Sequence, residues 1–148
     1  MTAMVGATAE ELVHAVAGAL EPVGAVRAAL LFGSQATGAA HADSDIDVAV
    51  LLDHAPEGPK RSRVLRTVIE ALGTTLRADR LDVVILNDAP PMLAFHALRD
   101  GRVALCRDPV ELHRFRVRTW SRHADYEPVE RFFREAVKRR ALLGGAHG

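Results

Sequence analysis

The sequence predicts an α/β (α+β) domain in which a small mixed sheet is flanked by helices, and one domain is expected over residues 1–148. A length of 148 residues, 49% hydrophobic and 26% charged, is typical of one domain that buries its own core. Short apolar runs of strand length alternate with segments of helical periodicity, and few residues separate them. We expect a core over about 8–107 and a C-terminal helical extension over about 108–143.

The elements follow in order from residue patterns. Thr8 is predicted to cap the first helix, with Glu11 three residues later, and Pro22 and Gly24 are expected to end it. Further helices are predicted at 60–78, 92–100, 109–122 and 127–143, and strands at 28–32, 45–52, 81–86 and 103–106. Pro128, as an early helix residue, supports the break between the last two helices.

Composition narrows the classes of function. Lys plus Arg and Asp plus Glu both number 19, so the formal charges cancel and no direct nucleic-acid binding is expected. Cys106 is the only cysteine, which excludes an internal disulfide and favours a reducing, cytoplasmic setting. The sequence indicates neither a secretion signal nor a membrane span, because no run approaches 18 uncharged apolar residues.

Three aspartates form the candidate metal site. Asp45 and Asp47 are two residues apart at a strand start, so they share a face, and Asp82 starts a later strand. If the two strands pair, the three carboxylates converge, and their repulsion requires a bridging cation. Hard oxygen ligands suit Mg²⁺ or Mn²⁺.

Two simpler explanations exist for these acidic residues. Asp43 is interpreted as a turn residue, whereas Asp47 lies inside an apolar strand, where a charge is normally excluded. A calcium loop would place aspartates at the same spacing, but it needs Gly and Glu where this chain has Val48 and His54.

A candidate phosphate site lies just ahead of these aspartates. Gly33 lets backbone N–H groups approach a phosphate, and Ser34 adds a hydroxyl donor. A phosphate site beside a carboxylate cluster indicates nucleotidyl transfer with two metal ions, one held by Asp45 and Asp47 and a second shared with Asp82. The chain contains neither the Walker motif nor the GxGxxG motif.

These residues carry a family resemblance. Gly33 and Ser34, ten intervening residues, and then Asp45, Ile46 and Asp47 match the GS-x10-DxD signature of the polymerase-beta nucleotidyltransferase superfamily. The small size and the C-terminal half resemble the minimal nucleotidyltransferase (MNT) antitoxins that are paired with HEPN-domain toxins.

The resemblance implies an antitoxin that transfers AMP from ATP to a tyrosine of a HEPN ribonuclease toxin encoded by a neighbouring gene, and so silences it. It implies that Gly33 and Ser34 hold the triphosphate, that Asp45 and Asp47 bind metal, and that Asp82 is the third carboxylate and the base. Gln35 stands where many relatives have Arg, so a cationic contact to phosphate is either missing or supplied by another residue.

Two other functions stay open at this point. The chain could neutralise its toxin by contact alone, with the aspartates as a relic or a nucleotide sensor. It could instead modify a small molecule, although such transferases commonly need more C-terminal sequence to bind the acceptor.

The C-terminal segment is locally basic. Residues 107–140 contain ten Arg or Lys and six acidic residues, a net charge of +4. Our preferred interpretation is a solvated helix face with a core-facing apolar stripe of Val129, Phe132, Phe133, Ala136 and Val137. The alternative is a partner or dimer interface anchored by Arg residues, Trp120 and Tyr126. Packing or loop roles are expected for Cys106, His41 and His96.

Overall fold

The computed structural model describes residues 6–38, 40 and 44–144. Asp43 and His41 lie outside the described residues, so their predicted roles stay predictions. The helices and strands in chain order are α1 (Ala9–Leu20), β1 (Val26–Phe32), α2 (Ser34–Thr37), β2 (Ile46–Leu52), α3 (Pro59–Gly73), β3 (Leu81–Ile85), α4 (Pro91–Asp100), β4 (Arg102–Cys106) and α5 (Pro109–Gly144). Two short 3₁₀ turns, Ala78–Arg80 and Leu86–Asp88, flank β3.

The described strands form one mixed sheet in the order β3-β2-β1-β4. β1 is antiparallel to both β2 and β4, whereas β2 is parallel to β3, which requires the α3 crossover between them. The predicted α/β class with a small mixed sheet is therefore confirmed.

Helices cover both faces of this sheet. On one face, α1 and α3 bury residues such as Val16, Leu72 and Val48 in a first core cluster. On the other face, α4 and the start of α5 pack on a second cluster that includes Leu30 and Leu98. The strands thus alternate between two cores.

The predicted first helix is confirmed, and α3 is shorter than predicted. The Thr8 hydroxyl accepts a hydrogen bond from the Glu11 N–H at 3.2 Å, as an N-cap should. The predicted helix over 60–78 ends at Gly73, because the Thr74 hydroxyl bonds back to the Ala71 carbonyl at 2.7 Å and turns the chain. Leu76 is still buried in the first core cluster.

The predicted break in the C-terminal helices is wrong. A single helix, α5, runs through 36 residues with Pro128 inside it. Proline removes one helical hydrogen bond, from the carbonyl of Ala124. Both residues are exposed, so water can bind that carbonyl and the helix continues.

The predicted core-facing stripe on this helix is also wrong where it can be checked. Phe132 is 69% exposed, Val137 is 67% exposed, and Ala136 is exposed as well. The side chains of Val129 and Phe133 are not among those described. These distal side chains of α5 are therefore not part of the core.

No helix in the described part of the chain is long and apolar enough to cross a membrane.

Candidate active site

Asp47 and Asp82 lie side by side at the end of the sheet where β2 and β3 begin, here called the aspartate end. The parallel register aligns Ile46 with Leu81 and Asp47 with Asp82. The strand pairing on which the predicted carboxylate cluster depends is therefore present. Asp45 directly precedes β2 and is exposed.

The paired aspartates point to the sheet face that α4 and α5 cover. Along β2, Val48 packs in the first core cluster and Ala49 in the second. Because side chains alternate along a strand, Asp47 points to the side of Ala49. Val84 of β3 packs against the second cluster, so Asp82, two residues earlier, points to the same side.

The charge at Asp47 is uncompensated. Burial raises the pKa of its carboxyl above the usual value, and the negative charges of Asp82 and Asp45 raise the pKa further. Within the described residues, no Lys, Arg or His forms an ion pair with any of these three aspartates. The cluster thus carries an excess of negative charge that a cation would offset.

Gly33 lies directly against the Asp47 carboxylate. It follows Phe32, which pairs with Asp47 across β1 and β2. Its φ of 69° and ψ of −155° belong to a region that only glycine adopts readily. A Cβ at this position would collide with Asp47 Oδ2 and lie 3.2 Å from its Cγ. Glycine is therefore required for both the backbone and the packing.

The one-turn helix α2, which the residue pattern did not predict, starts at Ser34. Its first carbonyl, that of Gly33, accepts from the Ala36 N–H at 3.1 Å. Ala36 is buried in the first core cluster and anchors the turn. The Gln35 side chain donates to the Ser44 carbonyl at 3.4 Å, so it ties α2 to the segment that leads into Asp45.

Arg102 is a residue of this region that the sequence did not single out. Its Nε donates to the Ala36 carbonyl at 3.0 Å, so the guanidinium lies at the end of α2. Arg102 starts β4 and pairs with Leu31, which brings it to the aspartate end. The signal was weak because the partner is a backbone carbonyl, which no residue pattern reveals.

The donor chemistry of the aspartates fits a hard divalent cation, although their side chains are not arranged as one ligand set. No three His, Cys, Asp or Glu side chains within the described ranges are placed to hold a single metal ion. Carboxylate oxygens are nevertheless the ligands that Mg²⁺ and Mn²⁺ prefer, and the uncompensated charge at Asp47 favours a cation.

Comparison with known families agrees with this geometry. The family model described as "Polymerase beta, Nucleotidyltransferase" matches residues 16–110, which is more than half of the chain. The chain belongs to the polymerase-beta nucleotidyltransferase family. The family resemblance found in the sequence is therefore confirmed, and the matched range holds all the predicted site residues of this nucleotidyltransferase.

Individual relatives agree with this family assignment. The nucleotidyltransferase is 29% identical over 108 residues to the protein adenylyltransferase MntA of Aphanizomenon flos-aquae (strain 2012/KM1/D3), covering 69% of this chain and 71% of that protein. It resembles a crystal structure of a toxin-antitoxin with AMP-PNP at a TM-score of 0.63 and 22% identity, covering 84% of this chain and 97% of the other.

A third relative is a structure of tri-AMPylated Shewanella oneidensis HEPN toxin in complex with MNT antitoxin. The TM-score is 0.60 at 19% identity, covering 88% of this chain and 98% of that chain. These structural matches show that the nucleotidyltransferase shares the fold of the matched chains in these structures.

Proposed function

We propose that this nucleotidyltransferase transfers AMP from ATP to a tyrosine hydroxyl of a HEPN ribonuclease toxin and thereby neutralises it. The observation that carries the proposal is the register that sets Asp47 beside Asp82, with Gly33 against the Asp47 carboxylate. The named activity of the cyanobacterial relative supports protein adenylylation, and the related complexes support a HEPN partner.

In this proposal, Gly33 and Ser34 hold the triphosphate of ATP. Because Gly33 has no Cβ, the Asp47 carboxylate can lie against the backbone at the end of β1, so the glycine-serine pair and the proposed metal ligand are adjacent. Gln35 acts by holding α2 against the segment before Asp45 rather than as a cation on the phosphate. Arg102 supports the same turn from the other side.

Asp45, Asp47 and Asp82 would hold two Mg²⁺ ions, with Mn²⁺ as an alternative. When bound, these ions would neutralise charge on the triphosphate and lower the pKa of the attacking hydroxyl. Asp47, with its raised pKa and half-buried side chain, is the carboxylate that gains most from a nearby cation.

The transfer itself needs one nucleophile and one base. The tyrosine oxygen forms a bond to the α-phosphorus of ATP, and the bond from that phosphorus to the β-bridging oxygen breaks. Pyrophosphate leaves with the electron pair of that bond. The phenolic proton passes to the Asp82 carboxylate, which is exposed and can release it to water.

The partner would bind along α5. This helix exposes large apolar side chains together with the local excess of basic residues, a combination that favours an acidic protein surface. We propose that the toxin is encoded by an adjacent gene and meets its antitoxin in the cytoplasm, where ATP is available. A homo-oligomer or hetero-oligomer would form through the same helix.

The test uses the full chain, labelled ATP, Mg²⁺ and the HEPN protein encoded beside it. We expect label on the toxin together with loss of its ribonuclease activity, and no label with Asp47→Asn or Asp45→Asn. Asp53→Asn is the matched control, because Asp53 is an exposed carboxylate just beyond the opposite end of β2 and should leave transfer unchanged.

Other outcomes would indicate the alternative functions. If Asp47→Asn silences the toxin as well as the wild type does, without label, the chain is a binding antitoxin. If label enters only a small molecule, the chain is a small-molecule nucleotidyltransferase. A toxin that replaces its tyrosine acceptor by Phe should stay unlabelled.

The number of AMP groups transferred is a separate question. The related Shewanella oneidensis toxin is described as tri-AMPylated. We propose that this nucleotidyltransferase also transfers AMP repeatedly, so that after the first step the acceptor is a hydroxyl of the attached nucleotide.

A further inference from the structure

A cleft of about 660 Å³ opens between α4 and α5, and none of the three site aspartates lines it. Its volume lies in the range of small-ligand sites. Nothing in the proposed first transfer uses it. Its lining residues are Phe95, His96 and Arg99 of α4 and Trp120, His123, Ala124, Glu127 and Arg134 of α5.

Aromatic rings line this cleft. Phe95 stacks on His123 with ring centroids 3.5 Å apart and an interplanar angle of 8°. Trp120 lies against the same phenyl ring at 4.9 Å and remains 41% exposed. An exposed indole held in place by neighbouring rings is a platform on which a nucleobase can stack.

Basic side chains also line the cleft, and Arg99 forms an ion pair with Asp100, with Nη2 2.7 Å from Oδ2. The guanidinium of Arg99 lies 5.5 Å from the Phe95 ring centroid, and Arg134 lines the cleft from α5. Glu127 is the one acidic side chain among the lining residues. Rings beside two guanidinium groups fit a ligand with a planar base and a phosphate.

The cleft faces the same side of the sheet as the aspartates and lies near their end of it. Arg99 is in the last turn of α4, and Arg102, three residues later, pairs with Leu31 in β4. The next residue of β1, Phe32, pairs with Asp47. Two strand spacings therefore separate the backbones of Arg102 and Asp47, about 10 Å.

We propose that this cleft is a second nucleotide subsite, which binds the AMP already attached to the acceptor while a new ATP occupies the site at Gly33 and Ser34. The inference rests on the proposed function and extends it to the adenylylated form of the substrate. The base stacks on Trp120, and Arg99 and Arg134 bind the phosphate that links the nucleotide to the toxin.

The second AMP transfer, which uses this subsite, makes and breaks the same kinds of bond as the first transfer. A ribose hydroxyl of the bound AMP forms a bond to the α-phosphorus of the new ATP. The bond from that phosphorus to the β-bridging oxygen breaks, and pyrophosphate leaves with its electron pair. The hydroxyl proton passes to the Asp82 carboxylate.

The first test measures binding through the fluorescence of Trp120, which is the only tryptophan of the chain. Titration of the full-length protein with AMP should quench this fluorescence, and Asp47→Asn should quench equally because it leaves the cleft intact. Arg99→Ala and Arg134→Ala should each weaken AMP binding about tenfold. Arg139→Ala, an exposed cation of the same helix that does not line the cleft, is the matched control.

Absence of quenching by AMP would overturn the inference, and so would quenching that Arg99→Ala and Arg134→Ala leave unchanged.

The second test counts AMP groups on the toxin by mass spectrometry. We expect several groups with the wild type and fewer with Arg99→Ala, a change confined to α4, while the rate of the first transfer stays the same. Equal distributions would overturn the subsite but leave the proposed function standing. A toxin that the wild type leaves unmodified would overturn the proposed function and the subsite with it.

Discussion

At the residue scale, the glycine at the end of β1 and the aspartate inside β2 form one unit. Asp47 is half-buried because its strand partner is followed by Gly33, which leaves room for the carboxylate. Both the positive φ of Gly33 and its lack of a side chain allow the Asp47 carboxylate to lie against the backbone. A change at either residue therefore disturbs the other.

Gly33→Ala should abolish AMP transfer and lower the free energy of unfolding. The alanine Cβ would displace the Asp47 carboxylate, and the backbone would be strained by about 1–3 kcal/mol. Transfer of labelled AMP and urea denaturation measure the two effects. Gly24→Ala is the control, because its Cβ would meet open space and its φ is ordinary. A fully active Gly33→Ala protein would contradict the proposed phosphate site.

Asp47→Asn should stabilise the metal-free protein while abolishing transfer. The pKa of Asp47 is raised, so its ionised form is less favourable in the folded state than in the unfolded state near neutral pH. For the same reason, the free energy of unfolding of the wild type should rise as the pH falls through the raised pKa of Asp47. Urea denaturation with EDTA at pH 7 measures the first effect, and a lower unfolding free energy for Asp47→Asn would contradict it.

Sequence alone could identify the residues whose chemistry is unusual for their position. Asp47 and Gly33 could be identified from the sequence, because a charge inside an apolar strand and a Gly-Ser pair at a strand end are both unusual. Arg102 could not be identified, and the contact of Gln35 could not be predicted, because each side chain donates a hydrogen bond to a backbone carbonyl of another segment. Such partners depend on the tertiary fold.

At the element scale, a single arginine joins three segments at the end of the sheet opposite the aspartates. Arg107, just after β4, donates from Nε to the Val26 carbonyl at 2.9 Å. Its Nη2 donates to the Leu20 carbonyl at 3.1 Å and to the Glu21 carbonyl at 2.6 Å. These carbonyls belong to the end of α1 and the start of β1, so Arg107 satisfies groups that a helix terminus leaves unpaired.

Arg107→Ala should lower the free energy of unfolding by about 2 kcal/mol, since hydrogen bonds from a charged donor are lost and the acceptors stay partly buried. Chemical denaturation measures this. Arg114→Ala, an exposed arginine of α5 with no such contacts in the described structure, should change stability by less than about 0.5 kcal/mol. Equal effects of the two changes would contradict the role given to Arg107.

Elements with strong periodicity were predictable and those governed by tertiary contacts were not. The four strands were placed within two residues, because buried apolar runs leave few alternatives. The length of α5 was not predicted, because Pro128 is compatible with two positions. A proline can be an early residue of a helix, or it can lie inside a helix where water binds the carbonyl that it leaves unpaired. The exposure of the distal apolar residues of α5 was not predicted either, because it depends on the tertiary fold.

At the scale of the whole molecule, α5 is much longer than any other helix or strand that the structure describes. A helix of 36 residues is about 54 Å long, several times the length of the neighbouring β4. The whole chain is neutral, yet residues 131–140 contain five basic residues and one acidic residue. The charge and the apolar exposure thus concentrate on the same segment.

Phe132→Asp with Val137→Asp should leave the free energy of unfolding within about 0.5 kcal/mol of the wild type, because both side chains are already exposed. The same variant should bind the HEPN partner at least about tenfold more weakly if α5 is the interface. Denaturation and calorimetric titration measure the two quantities. A destabilised variant would indicate that these side chains pack on the domain, and unchanged affinity would exclude them from the interface.

The parallel pairing of β2 with β3 has a consequence for the order of folding. The neighbouring β1–β2 hairpin brings Gly33 to Asp47 through a local contact, but Asp82 arrives only after α3 has closed the crossover. Closing that long loop is slow, and it brings two negative charges together at its last step. A newly made chain therefore lacks the paired aspartates until β2 and β3 have paired across this crossover.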